Sequence, residues 1–468
     1  RCSCDKQMCG YKYFLKQAGR KDYLFQVCNH NLLLADMIHR DNDLRPILPT
    51  GCCLIMDESH KLLDAARQML GLSMTADDIN SLLEELQQEG YDEFASFLRF
   101  SFRKLCAMMA EPPEAHPLDE YEEAMTMPYR LLDEFQRQRL FDASLRNRIQ
   151  RVVAVMEAVV NHWDLSDQVC YLSENEAGGT DLLVSTYRLD HELSRILWQQ
   201  RKGIILTSGT LAVGTDFSRF RQETGLAHNG RVVEAVAESP FDYASNCLLY
   251  LSKRPVSFRA IGNDMDGCYD RITAQIIELL DAASGHGLVL FTSYTMMEAV
   301  GQRLRQEELT YQIYTMRKHQ PNLLKEFRNH PGAVLLATGS AWEGMDFPGD
   351  QVSILIIPRL PFGIPDELGE RRKKEYDSLT DYIRSEVVPE MQIKLRQGFG
   401  RAIRTETDTC VVAVLDERCA PGKRYYADLL NALPDGIPET HESADITEFM
   451  LDKKHIHYFT EADDGHQE

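Results

Sequence analysis

Residues 52–60 read CCLIMDESH, a short apolar run that ends in the adjacent carboxylates Asp57 and Glu58. Similar short apolar runs recur at 204–206, 288–291, 334–337, 354–357 and 411–415. Polar turns follow most of these runs, and helical periodicity lies between several of them, which predicts buried parallel strands of an α/β fold. Such folds bind their ligands at the carboxyl ends of the strands, so we expect the chemistry in the loops that follow.

The composition is that of a globular protein with two or three domains. Its 468 residues are 44% hydrophobic and 26% charged, and no apolar stretch approaches the roughly 18 to 20 residues that cross a bilayer. The 51 basic and 72 acidic residues give a net charge of -21, which argues against a surface that coats nucleic acid nonspecifically. A local basic groove remains compatible with this charge.

The 12 cysteines do not have the pattern of a secreted disulfide framework, because several lie inside apolar runs and the chain shows no signal peptide. We therefore expect a reducing, cytoplasmic compartment. The chain begins at Arg1, and its first nine residues contain Cys2, Cys4 and Cys9. This start is typical of the later part of a longer protein.

Residues 75–165 break the α/β rhythm. Their apolar residues recur at three- and four-residue spacing with no strand between them, which predicts a helical insertion. Pro112, Pro113 and Pro117 predict a break within it. The flanking α/β segments are then 31–74 and 166–240, and a second α/β unit covers 241–468.

Four features place chemistry-bearing residues after predicted strands. The first is the pair Asp57 and Glu58, and the second is IILTSGTL at 204–211. The third is SAWEGMDFPGD at 340–350, and the fourth is QGFGRAIR at 397–404. Each feature alone also has a purely structural explanation. The four explanations are, in order, a helix N-cap, an ordinary β-turn, a glycine- and proline-rich turn and a pair of surface arginines.

Together and in this order, the features resemble the DinG-like and XPD-like DNA helicases of superfamily 2. DESH at 57–60 looks like the family's DEAH box with serine in the alanine position, and NHNLLLADM at 29–37 looks like the stretch before it. TSGTL resembles the coupling motif, and FTSY at 291–294, SAWEGMDFPG and QGFGRAIR resemble the motifs of the second motor domain. The resemblance implies two RecA-like parallel-sheet motor domains, with the helical insertion in the position of the family's arch domain.

The resemblance implies roles for the first motor domain. Asp57 would hold Mg²⁺, and Glu58 would orient or deprotonate the attacking water, because both tasks require carboxylate oxygens. His60, Ser208 and Thr210 would connect the phosphate state of ATP to domain movement.

In the second motor domain, Gln397, Arg401 and Arg404 would reach the γ-phosphate of ATP, and Gly400 would take part in cofactor binding. Arginine suits this role because its planar fork makes bidentate contacts to phosphate. Glu343 and Asp346 would lie at the same nucleotide-binding interface. The chain departs from the family because it contains no phosphate-binding loop ending in Gly-Lys-Ser or Gly-Lys-Thr. We interpret it as a helicase without its N-terminal portion.

The resemblance also assigns residues 1–30 to the remnant of a cysteine-rich region that holds a [4Fe-4S] cluster in the family. Cys4 and Cys9 have suitable spacing and Cys2 is a further candidate, but a cluster wants four thiolates. Cys28 lies in an apolar run and is more typical of a core cysteine. A zinc knuckle is the alternative, since thiolates suit either metal.

For nucleic acid, the candidates are Arg359 in PRLPFG, Tyr294 and Phe362, which would contact phosphates or stack on bases. The basic run ERRKKEY at 370–376 is more typical of a solvated helix face. The expected partners are ATP and single-stranded or forked DNA, with no membrane, and the expected state is a monomer.

The leading hypothesis is an ATP-dependent 5′ to 3′ DNA helicase that here lacks its phosphate-binding loop. The alternative is a nonhydrolysing nucleic-acid-binding or scaffold module. Some relatives also carry an N-terminal exonuclease domain, of which this chain shows no sign.

Overall fold

The computed structural model describes most of the chain, and the contacts between residues divide it into two units. The described residues are 13, 17, 20, 24–51, 53–138, 141–161, 167–175, 179–199, 203–258, 265–317, 320, 322–330, 332–342, 345, 347, 351–363, 367–401, 403 and 405–454. Unit 1 comprises Arg1–Leu211, Phe217–Val233 and Pro365–Glu375. Unit 2 comprises Ala212–Asp216, Glu234–Ile364 and Tyr376–Glu468.

Unit 1 contains a short parallel sheet with helices packed on it. Its elements are α1 (His30–Asp41), β1 (Cys53–Met56), α2 (Leu62–Leu70), α7 (Leu189–Leu193), β5 (Gly203–Leu206) and α8 (Ser218–Glu223). Strands β1 and β5 pair in parallel, with Met56 opposite Leu206. Leu34, Leu62 and Leu193 are fully buried in the core that these helices form with β1. The predicted strands at 52–56 and 204–206 are therefore confirmed.

The prediction that these two strands are buried is wrong for one of their faces. Ile55 is 64% exposed and Ile205 is 51% exposed, and Cys53 on the same face is exposed as well. On the other face, Met56 is buried and Leu206 packs against the core. Parallel sheets are normally covered on both faces, so this sheet presents an unusual bare apolar surface.

The predicted insertion forms four helices, and three short strands share their core. The helices are α3 (Ala76–Gln88), α4 (Asp92–Met109), α5 (Leu118–Gln138) and α6 (Ala143–Val160), and the strands are β2 (Leu72–Met74), β3 (Gln168–Glu174) and β4 (Thr180–Thr186). The strands form an antiparallel sheet in the order β2-β4-β3. Thr75 and Asp78 form a capping box that starts α3. Between α4 and α5, a single 3-10 turn occupies the predicted proline break.

Unit 2 is built on a seven-stranded sheet in the order β12-β6-β11-β10-β7-β9-β8, in which every neighbouring pair is parallel. The strands are β6 (Cys247–Val256), β7 (Gly287–Leu290), β8 (Ile313–Thr315), β9 (Val334–Ala337), β10 (Ile354–Ile357), β11 (Cys410–Asp416) and β12 (Glu439–Thr440). Four of them confirm the predicted runs near 288, 334, 354 and 411. The four residues of β7, of β9 and of β10, and all seven of β11, are buried, as expected for a parallel sheet.

The remaining helices belong to this half of the sequence. They are α9 (Tyr243–Asn246), α10 (Met265–Ala282), α11 (Tyr294–Leu304), α12 (Leu323–Asn329), α13 (Glu367–Lys373), α14 (Leu379–Tyr382), α15 (Val388–Phe399), α16 (Tyr426–Ala432) and α17 (Ser443–Lys454). Helix α13 is the exception in packing, because it lies within unit 1. Among the described residues, no helix combines the length and the apolar character needed to span a membrane.

Candidate functional site

The turn after β1 holds the two carboxylates that the sequence singled out. Asp57 Oδ1 accepts hydrogen bonds from Glu58 N at 3.0 Å and from Thr207 Oγ1 at 3.1 Å. Asp57 Oδ2 accepts none from the described residues, and the side chain is exposed. One carboxylate oxygen is thus fixed by the protein and the other is available to a ligand.

Glu58 occupies the left-handed region of the backbone, with φ 49° and ψ 45°. A residue with a side chain is strained there by roughly 1–2 kcal/mol, so the surroundings must hold the turn in place. Strand β5 does so, because Thr207 N donates to Met56 O at 2.9 Å and Ser59 N donates to Thr207 O at 3.0 Å. His30 Nε2 lies 3.0 Å from Asp57 O and braces the turn from α1.

Ser208 links the turn after β5 to the turn after β1. Its Oγ donates to Glu58 Oε2 at 3.3 Å and lies 2.7 Å from His60 Nδ1. Thr210 N donates to the same hydroxyl oxygen at 3.3 Å. The sequence predicted that Ser208, Thr210 and His60 act together, and the structure brings their side chains together beside Glu58.

Thr207 and His30 were not among the predicted site residues. Both lie in stretches that the sequence did single out, since Thr207 opens TSGTL and His30 is the second residue of NHNLLLADM. Their role depends on hydrogen bonds over separations of 150 and 27 residues. Periodicity and spacing carry no signal for such contacts.

In unit 2, Gln397 and Arg401 lie at the end of α15. Gln397 is 8% exposed, and its Oε1 is buried without a hydrogen-bond partner in the described part of the chain. Arg401 Nε donates to Gln397 O at 3.2 Å, and Arg401 also donates to Met345 O. Gly400 caps the helix with ordinary helical φ and ψ. Glu343, Asp346 and Arg404 lie outside the described residues.

The three nucleic-acid candidates have different surroundings. Tyr294 begins α11 and is 46% exposed, so its ring is available for stacking. Arg359 lies over the ring of Phe258 at 4.9 Å, and burial lowers the pKa of its guanidinium. Phe362 packs against Tyr425 with ring centroids 4.9 Å apart, which favours a structural role.

The loop that carries Arg359 and Phe362 is held by an ion pair that the sequence analysis missed. Asp416 is 2% exposed, accepts a hydrogen bond from Leu360 N at 3.0 Å and pairs with Arg418 at 2.6 Å. Arg418 also lies over the Phe362 ring at 4.6 Å. Asp416 and Arg418 follow the apolar run VVAVL in the sequence. A carboxylate and a guanidinium in this position could have indicated the ion pair.

The basic run at 370–376 is engaged within unit 1. Arg371 donates to Gln168 O at 2.7 Å and lies 4.5 Å from the centre of the Tyr187 ring. Arg372 forms an ion pair with Glu223 at 3.2 Å, with both side chains mostly buried. Both arginines therefore contact other residues of unit 1, and these contacts give the basic run a structural role.

The cysteines Cys2, Cys4 and Cys9 lie outside the described residues. Cys28 is partly buried against the core of unit 1, and burial raises the pKa of its thiol, with Asp36 contributing. This environment suits a packed cysteine better than a metal-binding thiolate. Within the described ranges, no group of three or more His, Cys, Asp or Glu side chains could hold a metal ion.

The chain is similar in sequence to known helicases. Residues 276–436 match the family model described as the helicase C-terminal domain. The ATP-dependent DNA helicase YoaA of Haemophilus influenzae is 27% identical over 459 residues, which cover 91% of this chain and 69% of YoaA. The ATP-dependent DNA helicase DinG of Photobacterium profundum is 32% identical over 275 residues, or 56% of this chain and 38% of DinG.

The fold has a counterpart among solved structures. An apo structure of XPD superimposes with a TM-score of 0.54 at 16% identity, and it covers 87% of this chain and 80% of XPD. The predicted fold class, two RecA-like parallel-sheet motor domains in an α/β chain, is thus confirmed. Over most of its length, the chain is thus similar in sequence to the DNA helicase YoaA and similar in fold to XPD.

Proposed function

We propose that the chain carries the motor domains of an ATP-dependent DNA helicase that couples ATP hydrolysis to 5′ to 3′ movement on single-stranded DNA. The supporting observation is the hydrogen-bonded network in which Ser208 bridges Glu58 and His60. The network connects Glu58, the residue proposed for hydrolysis, to the TSGTL segment. A motor protein requires such a connection, because the state of the bound nucleotide must be coupled to domain movement. The relatives named above are ATP-dependent DNA helicases, and this activity is our proposal for the present chain.

The described residues fit a magnesium-bound nucleotide. Asp57 Oδ2 would hold Mg²⁺, which is a hard cation that prefers carboxylate oxygens and neutralises phosphate charge during transfer. The hydrogen bond from Thr207 to Asp57 Oδ1 keeps the free oxygen turned outward. Glu58, whose side chain is 60% exposed, would orient the attacking water or take its proton.

The arginines of QGFGRAIR complete the proposed chemistry. Arg401 and Arg404 would stabilise charge on the transferred phosphate, a contribution worth about a thousandfold or more in related chemistry. Gln397 is another polar residue in this segment, and its buried Oε1 has no hydrogen-bond partner among the described residues. Glu343, Asp346 and Gly400 remain proposed members of the same site.

Residues for the DNA substrate and for a metal cluster are also proposals. Tyr294 is the strongest candidate for base stacking because its ring is exposed, and Arg359 would contact phosphate. Cys4, Cys9 and Cys2 would contribute to a [4Fe-4S] cluster. Assays of iron and acid-labile sulfide in anaerobically purified protein, with Cys4→Ser and Cys9→Ser variants, test that assignment without relying on activity.

The absence of a Gly-Lys-Ser or Gly-Lys-Thr loop from the 468 residues supports a second candidate, a nonhydrolysing nucleic-acid-binding or scaffold module. The two candidates differ in a measurable way. In protein produced from the gene's full reading frame, a motor hydrolyses ATP faster when single-stranded DNA is added. In the same protein, Glu58→Gln should keep ATP binding and lose hydrolysis. Turnover that survives within a few-fold would remove Glu58 from the role of catalytic carboxylate.

A further inference from the structure

Asp416 ties the loop that follows β10 to the turn that follows β11. Its side chain is buried, and Oδ2 accepts a hydrogen bond from Leu360 N at 3.0 Å. Arg418 donates to the same carboxylate from its backbone N at 3.0 Å, from Nε at 2.9 Å and from Nη2 at 2.6 Å. Because β10 and β11 are parallel neighbours, both segments leave the same edge of the sheet. The buried carboxylate therefore holds two adjacent loops of unit 2 together.

The hydrogen bond from Leu360 fixes the peptide unit that follows Arg359. The segment 358–361 reads PRLP, and since proline has no N–H, its backbone offers two donors. One of the two, Leu360 N, donates to Asp416. The second proline restricts Leu360 to extended conformations, and Phe362 N donates to Leu360 O at 2.8 Å, which closes a three-residue turn. The backbone next to Arg359 thus depends on Asp416.

Phe362, at the far end of the loop, is held by the same turn after β11. The guanidinium of Arg418 lies over the Phe362 ring at 4.6 Å, and the centre of the Tyr425 ring is 4.9 Å away. Tyr425 N donates in turn to Arg418 O at 3.0 Å. The loop that carries Arg359 is therefore fixed on both sides of Pro361.

Arg359 itself is not neutralised by the ion pair. Its guanidinium lies over the ring of Phe258 at 4.9 Å and forms no ion pair or hydrogen bond with any residue that the structure describes. Burial lowers the pKa of Arg359 and the charge of Arg418 lowers it further, whereas Asp416 acts in the opposite direction. Arginine keeps its proton in proteins, so this half-buried cation lacks a compensating anion. A phosphate group would supply one.

We propose that Asp416 is a positioning residue for nucleic-acid binding, which holds the loop so that Arg359 meets a phosphate of single-stranded DNA. Arg418 keeps the buried carboxylate paired, so that Asp416 accepts from Leu360 and leaves Arg359 available to the ligand. The inference rests on the proposed function, in which Arg359 contacts phosphate, and it adds the two residues that put Arg359 in place.

The substitution Asp416→Asn separates positioning from electrostatics. It removes a negative charge near Arg359, so electrostatics alone predicts tighter binding of a polyanion. The amide keeps the size of the carboxylate, but its nitrogen cannot accept a hydrogen bond, so the grip on Leu360 and Arg418 is partly broken. If Asp416 positions Arg359, binding weakens instead.

Fluorescence anisotropy with a labelled oligothymidylate of about 20 nucleotides measures the effect in protein from the full reading frame. We expect Asp416→Asn to weaken binding at least about fivefold and to lower the slope of log affinity against log salt by about 1, as the loss of one phosphate contact does. Arg359→Ala should have the same two effects. In the Arg359→Ala background, Asp416→Asn should change the affinity by less than about twofold.

A second variant and a matched control complete the experiment. Arg418→Lys keeps the positive charge and removes the planar fork, so it should weaken binding at least about threefold without any change in net charge. The control is Asp428→Asn, which removes one charge from another carboxylate–guanidinium pair of unit 2, formed with Arg384 at 2.8 Å. The control should bind the oligothymidylate at least as tightly as the wild type.

The outcomes separate this inference from the proposed function. If Arg359→Ala weakens binding while folded Asp416→Asn keeps wild-type affinity, the inference alone is overturned. Wild-type affinity of Arg418→Lys has the same consequence if Asp416→Asn does not fold. An undiminished effect of Asp416→Asn in the Arg359→Ala background also overturns it, because the effect then does not act through Arg359. Unchanged binding by Arg359→Ala removes that arginine from the proposed DNA site and the inference with it, and a wild-type protein that binds no oligothymidylate refutes the proposed function itself.

Discussion

Ser208 Oγ lies 2.7 Å from His60 Nδ1, although 148 residues separate the two in the sequence. The contact joins the turn that follows β5 to the turn that follows β1. Because the two strands pair in parallel, both turns leave the same edge of the sheet. The same hydroxyl reaches Glu58, so the serine is the hub of the network.

Removing that hub should disturb the coupling of hydrolysis to DNA. In protein from the full reading frame, Ser208→Ala should reduce DNA-stimulated ATP hydrolysis about tenfold or more while ATP binding changes little, because Glu58 loses one hydrogen-bond donor. Ser208→Thr, which keeps the hydroxyl, should restore much of the activity. The control is Ser101→Ala, whose hydroxyl donates to Leu98 O within its own helix. Equal activity of Ser208→Ala and wild type would remove the network from the mechanism.

The left-handed backbone at Glu58 predicts an inverted order of stability. Glu58→Gly should be more stable than Glu58→Ala by about 1 kcal/mol, because only glycine adopts this conformation without strain. At Glu84, an exposed position inside α3, the order should be the usual one, with glycine about 0.5–1 kcal/mol less stable than alanine. Urea unfolding of the four variants measures both differences. Glycine below alanine at both positions would show that Glu58 is not held in the left-handed region.

The 468-residue chain itself should bind ATP poorly. Most affinity for triphosphates in such motors comes from backbone N–H groups at a helix N-terminus together with the lysine of a Gly-Lys-Ser or Gly-Lys-Thr loop, and these 468 residues contain no such loop. Asp57 and Glu58 add negative charge, which repels free triphosphate. Isothermal calorimetry with MgATP should therefore show no micromolar binding. Micromolar, magnesium-dependent binding that Asp57→Ala abolishes would show that these 468 residues contain a phosphate-binding site.

The insertion should be dispensable for hydrolysis and necessary for unwinding, because none of the predicted catalytic residues falls inside it. Met74, Leu182 and Val184 of the small antiparallel sheet belong to the core of the insertion, so a deletion of 75–165 alone would expose these apolar side chains to water. A clean excision removes 72–186 instead, since the pairing of Leu72 with Val184 keeps its two ends close. In the full-length protein, this deletion should lower DNA unwinding more than DNA-independent ATP hydrolysis. Equal loss of both in folded protein would argue against a specific role of the insertion in unwinding.

Most of the motor strands could be predicted from the sequence. Runs such as VLLA and ILII are buried on both faces of a parallel sheet, so they appear as uninterrupted apolar segments of strand length. The helices of the insertion were equally visible through their three- and four-residue periodicity. The order of the motifs was enough to indicate the family and to single out Asp57, Glu58 and Ser208.

Other features depended on tertiary contacts that leave no periodic trace. The sequence did not predict the bare face of β1 and β5, because Ile55 and Ile205 are apolar whether or not anything covers them. It also did not predict that α13 packs in unit 1, since the pairing of Arg372 with Glu223 joins residues 149 positions apart. The strained φ of Glu58 and its support by Thr207 likewise exist only in the folded chain. Local patterns determine which segments become strands and helices, whereas side-chain positions at the site depend on which distant segments meet in space.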